Sequence, residues 1–391
     1  MVFVVMALAP SPALAGRWMQ VSCVNPNGTA APNDGWSGFS SGNPGGFSSN
    51  DNQCGPGTPM SAILSQFNPV PVGANEFLQY QPPSGSRLVG GTVDVDLDAD
   101  GYGTDSGNPP KINAVAIAAL YEPGLVFNSP SNLFFQCVAW LVACSKNTSD
   151  TLGFSGPISL PASRGGNLYL QAGCAAGDPN GACNTNARNG AWALAEVNWA
   201  HLLLVSNVAP EGTDFSGSAL QRGARGMTHL VFTASDPGGP GVHAVTAKLG
   251  SKVVWSGVPN DNAGACVAVG TDPASGALMF DAPQPCLSTE VVDIPVPTRG
   301  FPDGAHELAV TVTDAAQNVS PVLDQTITTS NPQTTPVPRS RRAVHARFVI
   351  SWSWAGRHTS LRSIKVQKLT RNAHVAVRCL GRGCPRLKVK S

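Results

Sequence analysis

Two short stretches hold the residue types that metal or acid–base chemistry requires. The first runs Val93-Asp94-Val95-Asp96-Leu97-Asp98-Ala99-Asp100-Gly101, with Tyr102 and Asp105 just beyond. From Asp96 it reads Asp-x-Asp-x-Asp-Gly, the opening half of an EF-hand-type calcium loop. Asp96, Asp98 and Asp100 are therefore the candidate calcium ligands, with Asp94 or Asp105 in support. Position twelve is Gly107, so the bidentate Glu is missing. The competing reading is a strand that turns Val93, Val95 and Leu97 inward and the carboxylates outward.

The second stretch is Ala191–Ala200, AWALAEVNWA, which sets Glu196 between Trp192 and Trp199. A carboxylate among aromatics suits glycoside hydrolysis, which needs a second carboxyl group close by. The chain has only six Glu and shows no local E-x-D-x-x-E-like pair, so the plainer reading is a Glu beside core tryptophans. Gly38-Phe39-Ser40-Ser41-Gly42 matches G-x-S-x-G, but a nucleophile elbow needs a strand before it and a helix after it. Here both flanks are Gly, Ser, Asn and Pro, so the match is compositional. The seven His are scattered, and His306 reads as structural. No catalytic residue is assigned and no cofactor is implied beyond calcium.

These residues need a scaffold, and composition points to its class. Gly and Pro number 42 and 33 in 391 residues, while charged residues make up only 13%. That balance argues against a cytosolic helical enzyme and fits an exported, turn-rich, all-β chain. No apolar run is long enough for a transmembrane helix. Residues 1–15 read as a signal peptide with a small-x-small cleavage site at Ala13-Leu14-Ala15. The basic segment that normally precedes the apolar run is missing, so the native start is expected upstream. The ten cysteines fall into five local couples: Cys23–Cys54, Cys137–Cys144, Cys174–Cys183, Cys266–Cys286 and Cys379–Cys384. An even count in an exported chain reads as disulfides. A zinc site is disfavoured, since there is no C-x-x-C and no His at ligand spacing. The expected localisation is secreted or cell surface.

Along the chain, residues 16–210 open with a Gly/Ser/Asn/Pro tract and continue with strand candidates at 87–97, 112–121, 133–142, 167–172 and 192–205. Short strands and long loops of this kind suggest a jelly-roll-like, lectin-like sandwich. Residues 221–328 carry candidates at 229–234, 242–249, 252–256, 290–296, 306–313 and 322–328, the density of an immunoglobulin-like sandwich. Asp236-Pro237-Gly238-Gly239 with Gly241-Val242 resembles the first hairpin of bacterial immunoglobulin-like surface domains. Asp303–Leu308, followed by Val310–Asn318, resembles their closing strands, with Gln317 where Gly is usual. The resemblance implies the fold and leaves the ligand open.

Residues 329–343 form a Pro-rich linker, and 344–391 a small basic β module with strands at 344–354, 360–369 and 373–379. Its W-x-W-x-G with R-C-x-G-x-G-C-P resembles C-terminal modules of secreted multi-β proteins from soil actinobacteria. It is expected to continue past residue 391. Residues 339–391 hold 14 Lys and Arg and no Asp or Glu, leaving 11 basic and 24 acidic residues elsewhere. The near-neutral total therefore conceals a basic end of +14 on a body of −13. Arg339, Arg341, Arg342, Arg357, Arg362, Lys365 and Lys368 are the candidate contacts to an anionic wall polymer, lipid headgroup or other polyanion, without sequence-specific nucleic-acid reading. Trp18, Trp36 and Tyr102 are the candidate exposed platforms for sugar stacking. The main expectation is a non-catalytic adhesive or carbohydrate-binding surface protein with an immunoglobulin-like spacer. The alternative is a carbohydrate-active enzyme, a glycoside hydrolase or lyase, with its site in 16–210.

Overall fold

The computed structural model describes residues 16–42, 48–51, 53–65, 70–99, 102–104, 112–121, 133–138, 143–145, 153–161, 166–175, 182–183, 191–331, 346–356 and 358–368. They are all-β, with two short 3-10 turns and no α-helix among them. Residues 1–331 and 332–391 form separate units.

The first sandwich pairs a nine-stranded with a seven-stranded sheet. The centre of the larger sheet is Ala191–Ser206, flanked by Ser86–Ala99 on one side and by Gly16–Val24 and Met60–Ser65 on the other. Alternation explains why these residues make strands. Val93, Val95, Leu97 and Ala99 face the core with Ala193, Ala195 and Val197, and the polar residues between them face outward. The smaller sheet orders Ala143–Ser145, Leu133–Val138, Ile112–Tyr121, Leu168–Ala175, Asn75–Tyr80 and Trp36–Ser41. Between the sheets lie Trp18, Met60, Leu78, Tyr80, Leu120 and Leu170, all fully buried. Gly91 is required where Ser86–Ala99 crosses the central strand: its φ is +129°, and a Cβ there would sit 2.1 Å from the His201 carbonyl oxygen.

The second sandwich packs three strands, Glu211–Ser216, Met227–Ser235 and Thr289–Pro297, against four: Lys252–Gly257, Val242–Leu249, Gly304–Asp314 and Val319–Thr329. Leu230, Phe232, Val245, Ile294, Leu308 and Val310 fill its core. Its first strand begins ten residues earlier than residue 221, where sequence alone starts the domain. Residues 258–288 do not stay within it. Leu278–Phe280 adds a parallel strand to Gly16–Val24, and Gly270–Thr271 continues the same nine-stranded sheet. The two sandwiches are thus stitched through one sheet, which separate domains at 16–210 and 221–328 do not anticipate.

Disulfides Cys23–Cys54 and Cys266–Cys286 are formed, as expected. A loop of the first one's length contributes roughly 3–4 kcal/mol. Cys174 is also disulfide-bonded, Cys137 and Cys144 stand opposite each other in register, and no described cysteine is free. Cys183 lies in a two-residue strand against Val70–Pro71. Cys379 and Cys384 lie outside the described residues, as do residues 1–15.

Candidate functional site

The outer face of the nine-stranded sheet gathers both sequence stretches that carry chemistry. Glu196 is directly opposite Asp96, on adjacent antiparallel strands. Ser155, Asp96, Glu196, Ser61 and Asp51 form one row across five strands. Asp94 and Asp98 flank Asp96 along its strand, half-buried like it.

A bulge between Val197 and Trp199 re-aims the central strand here. It frees Asn198 to reach sideways, and its Nδ2 donates to Asp96 Oδ2 at 3.1 Å and Asp94 Oδ1 at 3.4 Å. Asp96 Oδ1 is buried without a hydrogen-bond partner. Burial pushes the Glu196 carboxyl above its usual range, and the Asp96 charge pushes it further. One carboxyl group is thus biased toward holding a proton, while its neighbour receives an amide donor.

Past the bulge, Trp199 pairs in register with Asp94 and carries an aromatic surface on the same face. His201 follows it, with ring centroids 4.7 Å apart. Burial lowers the His201 imidazole below its usual range, while a bond to the Val24 backbone and the charge of Asp272 pull it back up. Asp272 belongs to the segment inserted from the second sandwich, where Ser275 N and Oγ donate to its carboxylate. The second sandwich therefore borders this face.

Several sequence expectations are corrected. Trp18 is completely buried, donating its indole N–H to the Pro283 carbonyl at 3.2 Å, and Trp36 is 6% exposed and donates to Ser22 Oγ. Neither is an exposed platform, because the strands carrying them turn both rings into the core. Tyr102 lies on a three-residue strand beside Ile112–Tyr121, and its side chain is outside the described residues. Asp96 and Asp98 do not form a calcium loop. They sit on a regular strand paired on both sides, where alternate side chains stand about 7 Å apart, too splayed to wrap one ion. Asp100 and Asp105 are outside the described residues.

Ser40 of the G-x-S-x-G match lies on a strand and donates to Glu76 Oε2 at 2.8 Å, and the next described element is another strand, Ser48–Asp51. The one potential metal-ligand group among the described residues, His243 with Cys266 and Cys286, has its two sulfurs bonded to each other, so no thiolate is available. Arg362, Lys365 and Lys368 are exposed on the C-terminal hairpin; Arg339, Arg341, Arg342 and Arg357 are outside the described residues.

The sequence named Glu196 and Asp96 separately but could not join them. Their partnership spans 100 residues and depends on which strands become neighbours. The only local signal was that both stretches alternate cleanly, leaving polar faces in need of a sheet.

No protein-family model matches the chain, and no curated protein matches it. Among solved structures, a β-1,2-glucanase from Parabacteroides distasonis aligns at TM-score 0.21 and 12% identity, over 81% of this chain and 40% of its own. The glycoside hydrolase domain of Endo-D from Streptococcus pneumoniae R6 aligns at TM-score 0.17 and 10% identity, over 75% of this chain and 37% of its own. The chain spans about two fifths of the length of these structures, and at such scores the likeness carries no argument.

Proposed function

We propose that the outer face of the nine-stranded sheet cleaves glycosidic bonds in an extracellular polysaccharide. The observation that carries this reading is Glu196 opposite Asp96, with Glu196 raised by burial and by that neighbour. Glu196 is the general acid that protonates the leaving-group oxygen. Asp96, oriented by Asn198, is the carboxylate that meets the sugar's anomeric carbon. Directly opposed strand residues have Cβ atoms about 4.5–5.5 Å apart. That places both carboxyl groups within reach of one glycosidic bond. Trp199 offers a ring for a neighbouring sugar to stack on. Export of the protein is supported by its disulfides.

The second reading is a glycan-binding face without cleavage, favoured by the Trp199–His201 aromatic pair beside the row. Reducing-sugar release from a panel of plant and microbial polysaccharides, with native chain and Glu196→Gln, separates the two. Release abolished by Glu196→Gln supports the enzyme. Retention on a polysaccharide without release, lost in Trp199→Ala and kept in Glu196→Gln, supports the binder.

A further inference from the structure

Residues 332–391 form a unit of their own, whose described part is a single hairpin, Arg347–Ala355 against His358–Gln367. Gly356 turns it with φ +59°, the left-handed conformation that two-residue hairpin loops demand. Alternation sorts its side chains. Phe348, Ile350, Trp352 and Trp354 share one face, with Ile364 opposite Ile350 and Leu361 opposite Trp352. The other face is polar, with Ser351 and Ser363 hydroxyls 2.7 Å apart and Lys365 opposite Val349. A buried strand pair would cover that apolar face. Here Trp352 and Trp354 are 72% and 77% exposed, and Phe348, Ile350 and Leu361 are each more than half exposed. Among the described residues nothing lies over it.

Charge identifies the occupant. Arg347, Arg362, Lys365 and Lys368 are exposed on this hairpin, Arg347 and Lys365 on the face opposite the tryptophans, and residues 339–391 contain 14 basic and no acidic residues. The partner must therefore be anionic and also offer an apolar interior. A soluble polyanion such as teichoic acid or DNA meets the charges but leaves the tryptophans in water. A bilayer with anionic headgroups meets both. We infer that the C-terminal hairpin is a membrane-surface anchor, its tryptophan face seated at the headgroup–acyl boundary of an anionic lipid leaflet.

The hairpin lies in the interface rather than crossing it. Among the described residues, two strands leave both edges with unpaired backbone groups, which hydrocarbon does not tolerate. Tryptophan belongs at that depth, its ring apolar and its N–H polar. The hairpin is one sheet thick, so Lys365 on the far face stays within about a Debye length of the headgroups.

The test uses the full chain and flotation with phosphatidylcholine vesicles, with and without phosphatidylglycerol. The native chain should float with the anionic vesicles only, and less as salt rises. Lipids brominated on the acyl chain should quench part of its tryptophan fluorescence. Arg362→Gln/Lys365→Gln/Lys368→Gln should weaken partitioning by about a hundredfold at low salt. Trp352→Ser/Trp354→Ser should abolish quenching and binding, whereas Trp352→Leu/Trp354→Leu, which keeps the apolar area, should still float. All five positions replaced are exposed, and an unchanged melting temperature would show that the body of the protein is intact. Failure of the native chain to float with anionic vesicles overturns the inference. So does full binding by the serine variant, which would mean that charge alone is read, as in a soluble polyanion. A native dimer that the serine variant converts to monomer would instead assign the face to a second copy.

Discussion

Asp314 grips Asn318 with both carboxylate oxygens, accepting its backbone N–H at 2.7 Å and its side-chain Nδ2 at 2.6 Å. Held this way, Asn318 turns to the first sandwich. Its Nδ2 also reaches the carbonyls of Ser206 and Val208, and its Oδ1 accepts from Gly16 N. The last residue of the motif that resembles immunoglobulin-like surface domains is thus the rivet between the two sandwiches. Asn318→Ala should strand several buried backbone groups and cost roughly 1–3 kcal/mol. Thermal unfolding measures it, and an unchanged melting temperature would remove Asn318 from the junction.

The residue before it carries strain. Gln317 has φ +71°, a left-handed conformation that side chains disfavour. Gln317→Gly should therefore stabilise by roughly 0.5–1 kcal/mol, once the added freedom of the unfolded chain is set against the relieved strain. Urea titration reads the change; a lower midpoint would show that the glutamine side chain makes a contact worth more than the strain.

Stability should fall as pH rises from about 4 to 7. Burial pushes Asp314 up to about 7, with Asp236 adding to the effect and the Asn318 bonds opposing it; burial alone pushes Glu290 up to about 7. Between the ordinary carboxylate range and those values, the folded chain holds protons that the unfolded chain has released. Each group's contribution is present at low pH and lost through that window. Glu290→Gln keeps the shape without the proton. It should leave stability at pH 5 nearly unchanged and raise it near pH 8, on the order of 1 kcal/mol once solvent screening is discounted. Identical slopes for both chains would place the linkage elsewhere.

If Glu196 is the acid, glycan cleavage should decline as pH rises past its elevated pKa, because only the protonated form donates. Glu196→Gln should lower kcat by about 10²–10⁴-fold, and Asp96→Asn by at least as much. Asn198→Ala should act through Asp96, lowering kcat more than it changes KM. An activity profile flat with pH would argue against an acid at 196.

Alternating apolar residues made the strands around Asp96 and Glu196 legible in sequence, and five of the first sandwich's strands and six of the second's fall close to where that pattern puts them. Trp36–Ser41 was hidden because its tract is rich in Gly and Ser; Met60–Ser65 does alternate, with Met60, Ala62 and Leu64 buried, but is short, and the burial of Trp36 comes from residues distant in sequence rather than from its own pattern. Trp18 was misread for the same reason: nothing local distinguishes a tryptophan that donates to Pro283, 265 residues away, from one in water. The disulfides Cys23–Cys54 and Cys266–Cys286 were legible because local loops need no knowledge of topology. The carboxylate pair was not, since strand order is decided by the whole sheet.

The parallel pairing of Trp18 with Leu278 imposes an order on assembly. The edge of Gly16–Val24 finds its last partner only when a segment 260 residues later has been made and delivered. Until then, a strand whose middle six residues are all buried in the finished protein stays open on one side, a template for pairing with other chains. Contacts this distant close slowly. The nascent chain therefore passes through a long interval in which the first sandwich is nearly built and still adhesive, and its yield should depend on chaperones that mask that edge until the second sandwich arrives.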